Sequence, residues 1–231
     1  MMLNSKEKLI ELIELIEFGN EIKECKVFLL GSFTEIMDFD ILKDRVEKTY
    51  NMLSYLPEDA IVVMEDGCYP KEEFRHYIHS KLSTRANILS MNEDELQSYI
   101  GYRINIMDVD EVMNGIKYIY NKTGIRNILI HSAAWVIAYG ENAKRLKPAL
   151  DSGITMSATR FRKGDDFNKE DYAYTGSISN KTEGEKFCKK LEQEYGEHIC
   201  CVPCKDLSFA KHPTVVGLGD AFVGGLVLGL L

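Results

Sequence analysis

Short, uniformly apolar runs alternate with longer segments of helical periodicity along most of this sequence. An apolar run without polar alternation is typical of a strand that is covered on both faces of its sheet. Such runs predict strands at residues 25–30, 60–64, 86–91, 127–131 and 199–202. Apolar residues that recur every three or four positions predict amphipathic helices. These helices are expected at residues 1–18, 40–56, 71–82, 92–99, 109–123, 182–195 and 221–231.

This alternation predicts an α/β fold in which a mostly parallel sheet is flanked by helices on both faces. A single domain over residues 1–231 is expected, because no linker or low-complexity tract interrupts the pattern. Gly19 and Asn20 are predicted to end the first helix. The pattern is less regular over residues 151–180, where glycines and hydroxyl side chains indicate connections near a site.

The composition changes this picture mainly by excluding some partners. The chain has 36 acidic and 28 basic residues, a formal net charge of −8, and no block of lysine and arginine that would follow a nucleic-acid backbone. The charged residues within 1–19 are unlike the apolar core of a signal peptide. The apolar residues 221–231 are too few to cross a bilayer, which takes about 20 helical residues. Neither nucleic acid nor a membrane is an expected partner, and the expected compartment is the cytoplasm.

The six cysteines, in a chain without a signal segment, are expected to be reduced thiols rather than a disulfide framework. Cys201 and Cys204 form a CxxC pair that could hold a metal ion. A structural zinc site needs a second pair of ligands at suitable spacing, and the sequence shows none. A thiol-bearing strand is therefore the preferred interpretation.

Gly217, Leu218, Gly219 and Asp220 precede the last apolar segment, so the two glycines stand where a helix begins. The first turn of a helix offers unpaired backbone N–H groups and a partial positive charge, and glycine lets a phosphate approach the backbone closely. Asp220 could accept the proton of a hydroxyl that attacks such a phosphate. On these four residues alone, an ordinary helix cap and a tight turn are the simpler explanation.

Acidic residues also follow two of the predicted strands. Glu65 and Asp66 come after the second strand, and residues 92–95 (Asn-Glu-Asp-Glu) come after the third. Open parallel sheets bind their ligands at the carboxyl ends of strands, so these groups are expected to converge with Asp220 at one edge. There they could organise a hydrated magnesium ion. Alternatively, Asn92 caps the acidic first turn of a helix and no metal binds there.

Taken in order along the chain, these features resemble the ADP-dependent phosphofructokinase and glucokinase family of the ribokinase-like superfamily. The matching features are Glu65 after a strand, residues 92–95, residues 122–126 before the strand that ends at His131, and residues 214–220. The resemblance spans about residues 27–231. It implies the carboxy-terminal half of a ribokinase-like fold, without the amino-terminal part of the sheet and without the lid that closes over the sugar.

The resemblance also implies roles for residues near the end of the chain, where Asp220 would be the catalytic base. The residues implied to bind the nucleotide are Gly217, Leu218 and Gly219 at the anion-binding turn, with Val202 and Pro203 bordering the adenine pocket.

A second group of residues would support magnesium in such an enzyme. The resemblance assigns this role to Glu65, Asn92 and Glu95. The sequence departs from the family at Val63, where a histidine would be expected two residues before the glutamate, so Glu65 is without its usual partner. His131 is interpreted as a histidine of the core with no catalytic role.

The function implied by the resemblance is that of an ADP-dependent sugar kinase of glycolysis and carbohydrate metabolism. Such a transferase moves phosphate from ADP to a sugar hydroxyl with magnesium. Its partners would be a nucleotide and a sugar or sugar phosphate, and a partner chain could supply the lid. Two alternatives are open: a nucleotide-binding module without catalysis, suggested by the missing amino-terminal half together with Val63, and an ATP-dependent ribokinase-like kinase, which shares the glycine turn.

Overall fold

The computed structural model describes residues 15–31 and 33–231, and a six-stranded sheet forms the centre of this part of the chain. The strands are β1 (Val27–Leu30), β2 (Ile61–Glu65), β3 (Ile88–Asn92), β4 (Asn127–His131), β5 (Trp135–Gly140) and β6 (Ile199–Pro203). They lie side by side in the order of the chain. Neighbouring strands pair in parallel except at β5, which is antiparallel to both β4 and β6. The predicted mostly parallel α/β class is confirmed.

Helices in the described part of the chain cover both faces of this sheet. They are α1 (residues 15–21), α2 (Phe39–Leu53), α3 (Glu72–Leu82), α4 (Glu93–Ile100), α5 (Val109–Thr123), α6 (Lys147–Lys163), α7 (Lys169–Ser177), α8 (Thr182–Tyr195) and α9 (Leu218–Leu230). The second to fifth helices and α8 bury residues such as Leu42, Ile116 and Leu191 on one face. α6 and α9 bury residues such as Leu150 and Leu226 on the other.

Several element ends follow directly from local sequence signals. α2 begins where the Asp38 carboxylate accepts hydrogen bonds from the N–H groups of Asp40 and Ile41. α5 ends at Gly124, whose φ of 66° lies in the left-handed region that favours glycine. Where such signals flank an apolar pattern, the predicted and observed bounds agree, as they do for α5, β4 and α8.

α6 and α9 approach each other closely because glycines face their contact. A Cβ atom on Gly153 of α6 would lie 2.7 Å from the Phe222 ring, and one on Gly225 of α9 would lie 2.6 Å from the carbonyl oxygen of Ser152. Larger side chains would push the two helices apart. This packing holds the first turn of α9 in place relative to the sheet. In the described ranges, no helix is both long enough and apolar enough to cross a membrane.

The prediction of irregular connections over residues 151–180 is wrong, because α6 and α7 occupy most of that range. The hydroxyl groups that suggested a loop are accommodated inside α6, where Thr155 and Thr159 donate to the carbonyl oxygens four residues before them. Gly153 serves the close contact with α9 rather than a turn. Gly164 does end α6, with a φ of 76°.

The structure differs from the predictions at two further places, the end of the first helix and the strand after β4. α1 continues past Gly19 and Asn20 to residue 21, and most of the first predicted helix, 1–18, lies outside the described residues. β5 was not predicted at all. It follows β4 after a short turn in which the Ser132 hydroxyl donates to the carbonyl oxygen of Trp135 and accepts from its N–H group. An antiparallel strand after so short a turn breaks the alternation of strands and helices.

Cys188 on α8 and Cys201 on β6 form a disulfide, so the expectation of six reduced thiols is wrong for these two residues. Their Cα atoms are 5.1 Å apart, within the range that a disulfide spans. The two residues meet because α8 packs over β6, which spacing along the chain does not reveal. Cys201 is therefore paired with Cys188 and does not form a ligand pair with Cys204.

Candidate functional site

The carboxyl ends of the parallel strands bring several predicted site residues to one edge of the sheet. Glu65 ends β2, Asn92 ends β3 and His131 ends β4, and Asn92 and His131 are direct neighbours in the strand register. The first turn of α9 reaches the same edge, because a Cβ atom on Gly219 would lie 4.0 Å from Cε1 of His131. The structure therefore places the glycine turn beside the ends of the strands.

The glycine turn forms the amino terminus of α9. Gly217 is the residue before the helix and has a φ of 70°, a left-handed conformation that other residues adopt at a cost of about 1–2 kcal/mol. Its carbonyl oxygen accepts the first hydrogen bond of the helix, from the N–H group of Ala221. The N–H groups of residues 218–220 precede any intrahelical acceptor, so they point out of the helix. This geometry suits an anion.

Gly219 is a glycine that the fold itself does not require. Its backbone is not left-handed, and His131 is the nearest neighbour that an added Cβ atom would meet, at an ordinary contact distance. The space that a side chain would fill instead opens into a cavity beside the helix terminus. A phosphate that bound to the N–H groups of the turn would need this space.

The cavity has a volume of about 650 Å³ and lies between the sheet edge, α6, α9 and the start of α8. Its α6 wall includes Ser157 and Phe161, and its α9 wall includes Leu218 and Phe222. Small-molecule sites in proteins are commonly clefts of about 300–1,000 Å³ that combine apolar walls with a few polar groups. The α6 wall lies within residues 151–180, where the sequence pattern indicated connections, so none of its residues was predicted as a site residue.

His131 forms part of the cavity wall and stacks on Phe222, with ring centroids 4.6 Å apart. Burial lowers the pKa of His131 to about 4, so the ring is neutral near pH 7. The ring is half-buried in the wall of the cavity, and its lack of a catalytic role is still a prediction. The ring also limits the space next to Gly219.

The opposite wall is formed by the residues that follow β6 and by the start of α8. Cys204, Lys205 and Lys181 line it, and the Lys181 ammonium group donates to the carbonyl oxygen of Ala133. Val202, which was predicted to border the adenine pocket, is instead buried in the core that α6 and α9 cover. Neither it nor Pro203 lines the cavity, whereas the next residues along the chain do. Burial raises the pKa of the Cys204 thiol to about 12.

Three carboxylates interact electrostatically near the turn. Burial raises the pKa of Glu65 above its usual value, and the charge of Asp220 raises it further. Burial likewise raises the pKa of Glu95 to about 7, opposed by a hydrogen bond from the N–H group of Asn92 and assisted by the charges of Asp66 and Glu65. Asp220 itself is exposed. The local excess of negative charge is of the kind that a divalent cation would offset.

Asn92 and Glu95 form a capping box at the start of α4. The Asn92 side-chain oxygen accepts from the N–H groups of Asp94 and Glu95, and the Glu95 carboxylate accepts from the N–H group of Asn92 at 2.8 Å. Both lone pairs of the Asn92 oxygen are therefore used within the cap. Among the described residues, no three His, Cys, Asp or Glu side chains are grouped so as to hold a metal ion.

Asp66, the acidic neighbour of Glu65, does not face the site. Its buried carboxylate is 3.1 Å from Nε of Arg75 and 3.3 Å from Nε2 of His79, both on α3. Arg75 also donates to the carbonyl oxygen of Gly67 at 3.0 Å. This ion-paired cluster anchors the segment that follows β2. Of the two acidic residues predicted there, Glu65 alone interacts with Asp220.

The fold is similar to that of solved ADP-dependent phosphofructokinases. A phosphofructokinase from Pyrococcus horikoshii OT3, solved with AMP, matches with a TM-score of 0.76 and 16% identity over 93% of this chain and 53% of its own. The last common ancestor of ADP-dependent phosphofructokinases from Methanosarcinales matches with a TM-score of 0.77 and 17% identity over 94% and 53%. An ADP-dependent kinase in complex with fructose-6-phosphate and ADPβS matches with a TM-score of 0.77 and 15% identity, over 94% of this chain and 56% of its own.

At these identities the similarity establishes the fold. The chain spans about half the length of the solved structures that it matches. No protein-family model matches the chain, and no curated protein matches it. The similarity to these solved structures confirms the fold that the resemblance implied.

Proposed function

We propose that this chain provides the nucleotide-binding side of an ADP-dependent sugar kinase, which transfers the terminal phosphate of ADP to a sugar hydroxyl. The observation that carries the proposal is the free space beside Gly219, hereafter the cradle, where the start of α9 faces a cavity of about 650 Å³ at the carboxyl edge of the sheet. Two structures of similar fold contain AMP and ADPβS, respectively, and the second also contains fructose-6-phosphate.

The N–H groups of residues 218–220 bind the phosphate as negative charge develops during its transfer. Phosphoryl transfer depends mainly on positioning and on electrostatic stabilisation, and fixed backbone donors supply both. Asp220 follows this turn directly and accepts the proton of the attacking hydroxyl. Its exposure leaves the carboxylate accessible to an acceptor that approaches from outside the cavity.

Magnesium fits the carboxylates of this edge when it is bound through water. The carboxylates of Glu65 and Glu95 would accept hydrogen bonds from the water shell of the ion, and Asn92 holds Glu95 in place through the capping box. A bound magnesium ion would neutralise charge on the nucleotide phosphates. Burial and neighbouring carboxylates raise the pKa values of Glu65 and Glu95, and a cation bound beside them would lower both values again. Val63, buried in the core, takes no part in this site.

The acceptor side of the site is less complete than the nucleotide side. The relatives of similar fold are almost twice as long as this chain. We propose that further polypeptide, in the same chain or in a partner chain, encloses the sugar beside Asp220. A nucleotide-binding module without catalysis is the second candidate, and the observations that favour it are Val63 in place of a histidine and the half of the solved structures that this chain does not match.

Calorimetric titration with ADP, ATP and AMP in the presence of magnesium tests the nucleotide site. We expect ADP to bind more tightly than ATP, and a preference for ATP would favour an ATP-dependent kinase of the same superfamily. Release of AMP from ADP that depends on fructose-6-phosphate or glucose would then support catalysis over the binding module. Absence of binding by all three nucleotides would contradict both the kinase and the binding module.

A further inference from the structure

Arg160, near the end of α6, lies directly against the glycine turn. Its Nε donates to the carbonyl oxygen of Val216 at 3.1 Å. A Cβ atom on Gly217 would lie 3.2 Å from Nη2 of Arg160 and 3.3 Å from its Nε. The guanidinium group therefore packs on the backbone of the residue that begins the turn. No sequence motif pointed to it.

The segment before the turn has few other attachments to the body of the protein. Val215 is 67% exposed and Val216 is 76% exposed, so apolar packing does not hold them. Two hydrogen bonds join the segment to α6: the N–H group of Thr214 donates to the carbonyl oxygen of Phe161, and Arg160 donates to Val216. Glycine has wide backbone freedom, so the left-handed φ of Gly217 needs such external support.

Arg160 has a second partner on its other side. Its Nη1 pairs with the carboxylate of Asp165, which follows Gly164 at the end of α6. The Asp165 side chain is 78% exposed, whereas that of Arg160 is 25% exposed. An ion pair with so exposed a carboxylate is screened by solvent and contributes little. The contact that immobilises Arg160 is thus mainly the one with the turn.

We propose that Arg160 is a positioning residue that holds the glycine turn in its anion-binding conformation and adds positive charge beside it. The inference rests on the proposed function, because it assigns the turn to the terminal phosphate of a nucleotide. Arginine suits both tasks: its planar group forms several directed hydrogen bonds, and its charge is permanent. AMP lacks the terminal phosphate, so the effect of Arg160 is specific to ADP.

The test compares Arg160→Met and Arg160→Lys with Arg162→Met as the matched control. Arg162 is two residues further along α6 and donates to Asp171 and Thr175 on α7, away from the turn. Calorimetry gives the Kd values for ADP and for AMP. We expect Arg160→Met to raise the Kd for ADP about tenfold or more, which corresponds to the loss of a charge-assisted hydrogen bond. The Kd for AMP should rise by less than about threefold. Arg160→Lys should restore part of the ADP affinity.

Arg162→Met should bind both nucleotides as the unmodified protein does. Equal losses for ADP and AMP in Arg160→Met, or no loss for ADP, would overturn the assignment of Arg160 while leaving the proposed function in place. If Arg160→Met does not fold, the Kd of Arg160→Lys for ADP provides the test. A Kd equal to that of the unmodified protein would contradict a role for the directed hydrogen bond from Arg160 to Val216. Failure of the unmodified protein to bind ADP would overturn the proposed function and this inference together.

Discussion

The two ends of the sheet's carboxyl edge differ in how completely they are enclosed. At the end formed by β4 to β6, the helices α6, α8 and α9 surround a cavity of about 650 Å³. At the end formed by β1 and β2, Leu29 is 44% exposed and Asp220 is also exposed. Leu129 lies on the same face of the sheet as Leu29 and is fully buried beneath α6 and α9.

Under the proposed function, the two ends of this edge meet two different requirements of a kinase. Binding a nucleotide requires a pocket and fixed donors, and the cavity and the first turn of α9 at the β4–β6 end are the proposed sources of both. Protecting a phosphoryl transfer from water requires closure around the acceptor as well. The open end provides the carboxylates Glu65 and Asp220 but little apolar wall around them. We therefore expect mutations to have different consequences at the two ends.

The largest expected effect compares two leucines of the same sheet face. Leu129→Ala at the enclosed end should lower the free energy of unfolding by about 2–5 kcal/mol, because it leaves a cavity in a packed core. Leu29→Ala at the open end should lower it by less than about 1 kcal/mol, since that side chain is already half exposed. Urea denaturation of both variants measures the difference. Equal losses would contradict the description of β1 as an open edge.

The next effect concerns catalysis at the open end. We expect Asp220→Asn to lower sugar-dependent release of AMP by about 100-fold, because the positioned proton acceptor is lost while the shape of the side chain is kept. The Kd for ADP should change little, because the backbone N–H groups of the turn are retained. A coupled assay of AMP and calorimetry with ADP give the two values. Unchanged turnover in this variant would contradict the role of Asp220 as the proton acceptor.

A smaller effect depends on pH and arises at the enclosed end. The pKa of His131 is lowered to about 4 in the folded protein, from 6.5, so the unfolded chain binds a proton first as the pH falls. Folding stability should therefore decrease between about pH 6.5 and pH 4, by up to about 2 kcal/mol once the partial exposure of the ring is considered. His131→Gln should lack this part of the pH dependence. The same dependence of the unfolding free energy on pH in both proteins would argue against a lowered pKa of His131 in the folded state.

Much of the fold could be predicted from the sequence because both signals that define it are local. Uniformly apolar runs predicted five of the six strands, and capped amphipathic segments such as 109–123 and 182–195 predicted helices to the residue. The predictions fail where contacts between residues far apart in the sequence determine the local structure. Residue 153 is a glycine within α6 because the Phe222 ring occupies the space that a side chain would need, and Cys188 meets Cys201 only after α8 has packed on the sheet.

The candidate site could be predicted only in part, for the same reason. Strand topology brings residues at strand ends together, so the approach of Glu65 to Asp220 could be anticipated. Arg160 and Phe161 reach the turn and the cavity from the last turn of α6, and no motif marks such positions in the sequence. The roles of Asp220, Glu65, Asn92 and Glu95 in catalysis and metal binding are still predictions.

The central claim is that the start of α9 holds a nucleotide phosphate, and two glycines of that helix test it most directly. A Cβ atom on Gly219 would extend into the cradle, whereas one on Gly224 would meet nothing within 4 Å. Alanine at either position should leave the fold intact, and at Gly224, inside the helix, it should raise helix stability by about 0.5–1 kcal/mol. Calorimetry with ADP and magnesium should then show affinity at least about tenfold weaker for Gly219→Ala and unchanged for Gly224→Ala. Equal ADP affinity in both variants and the unmodified protein would contradict the claim.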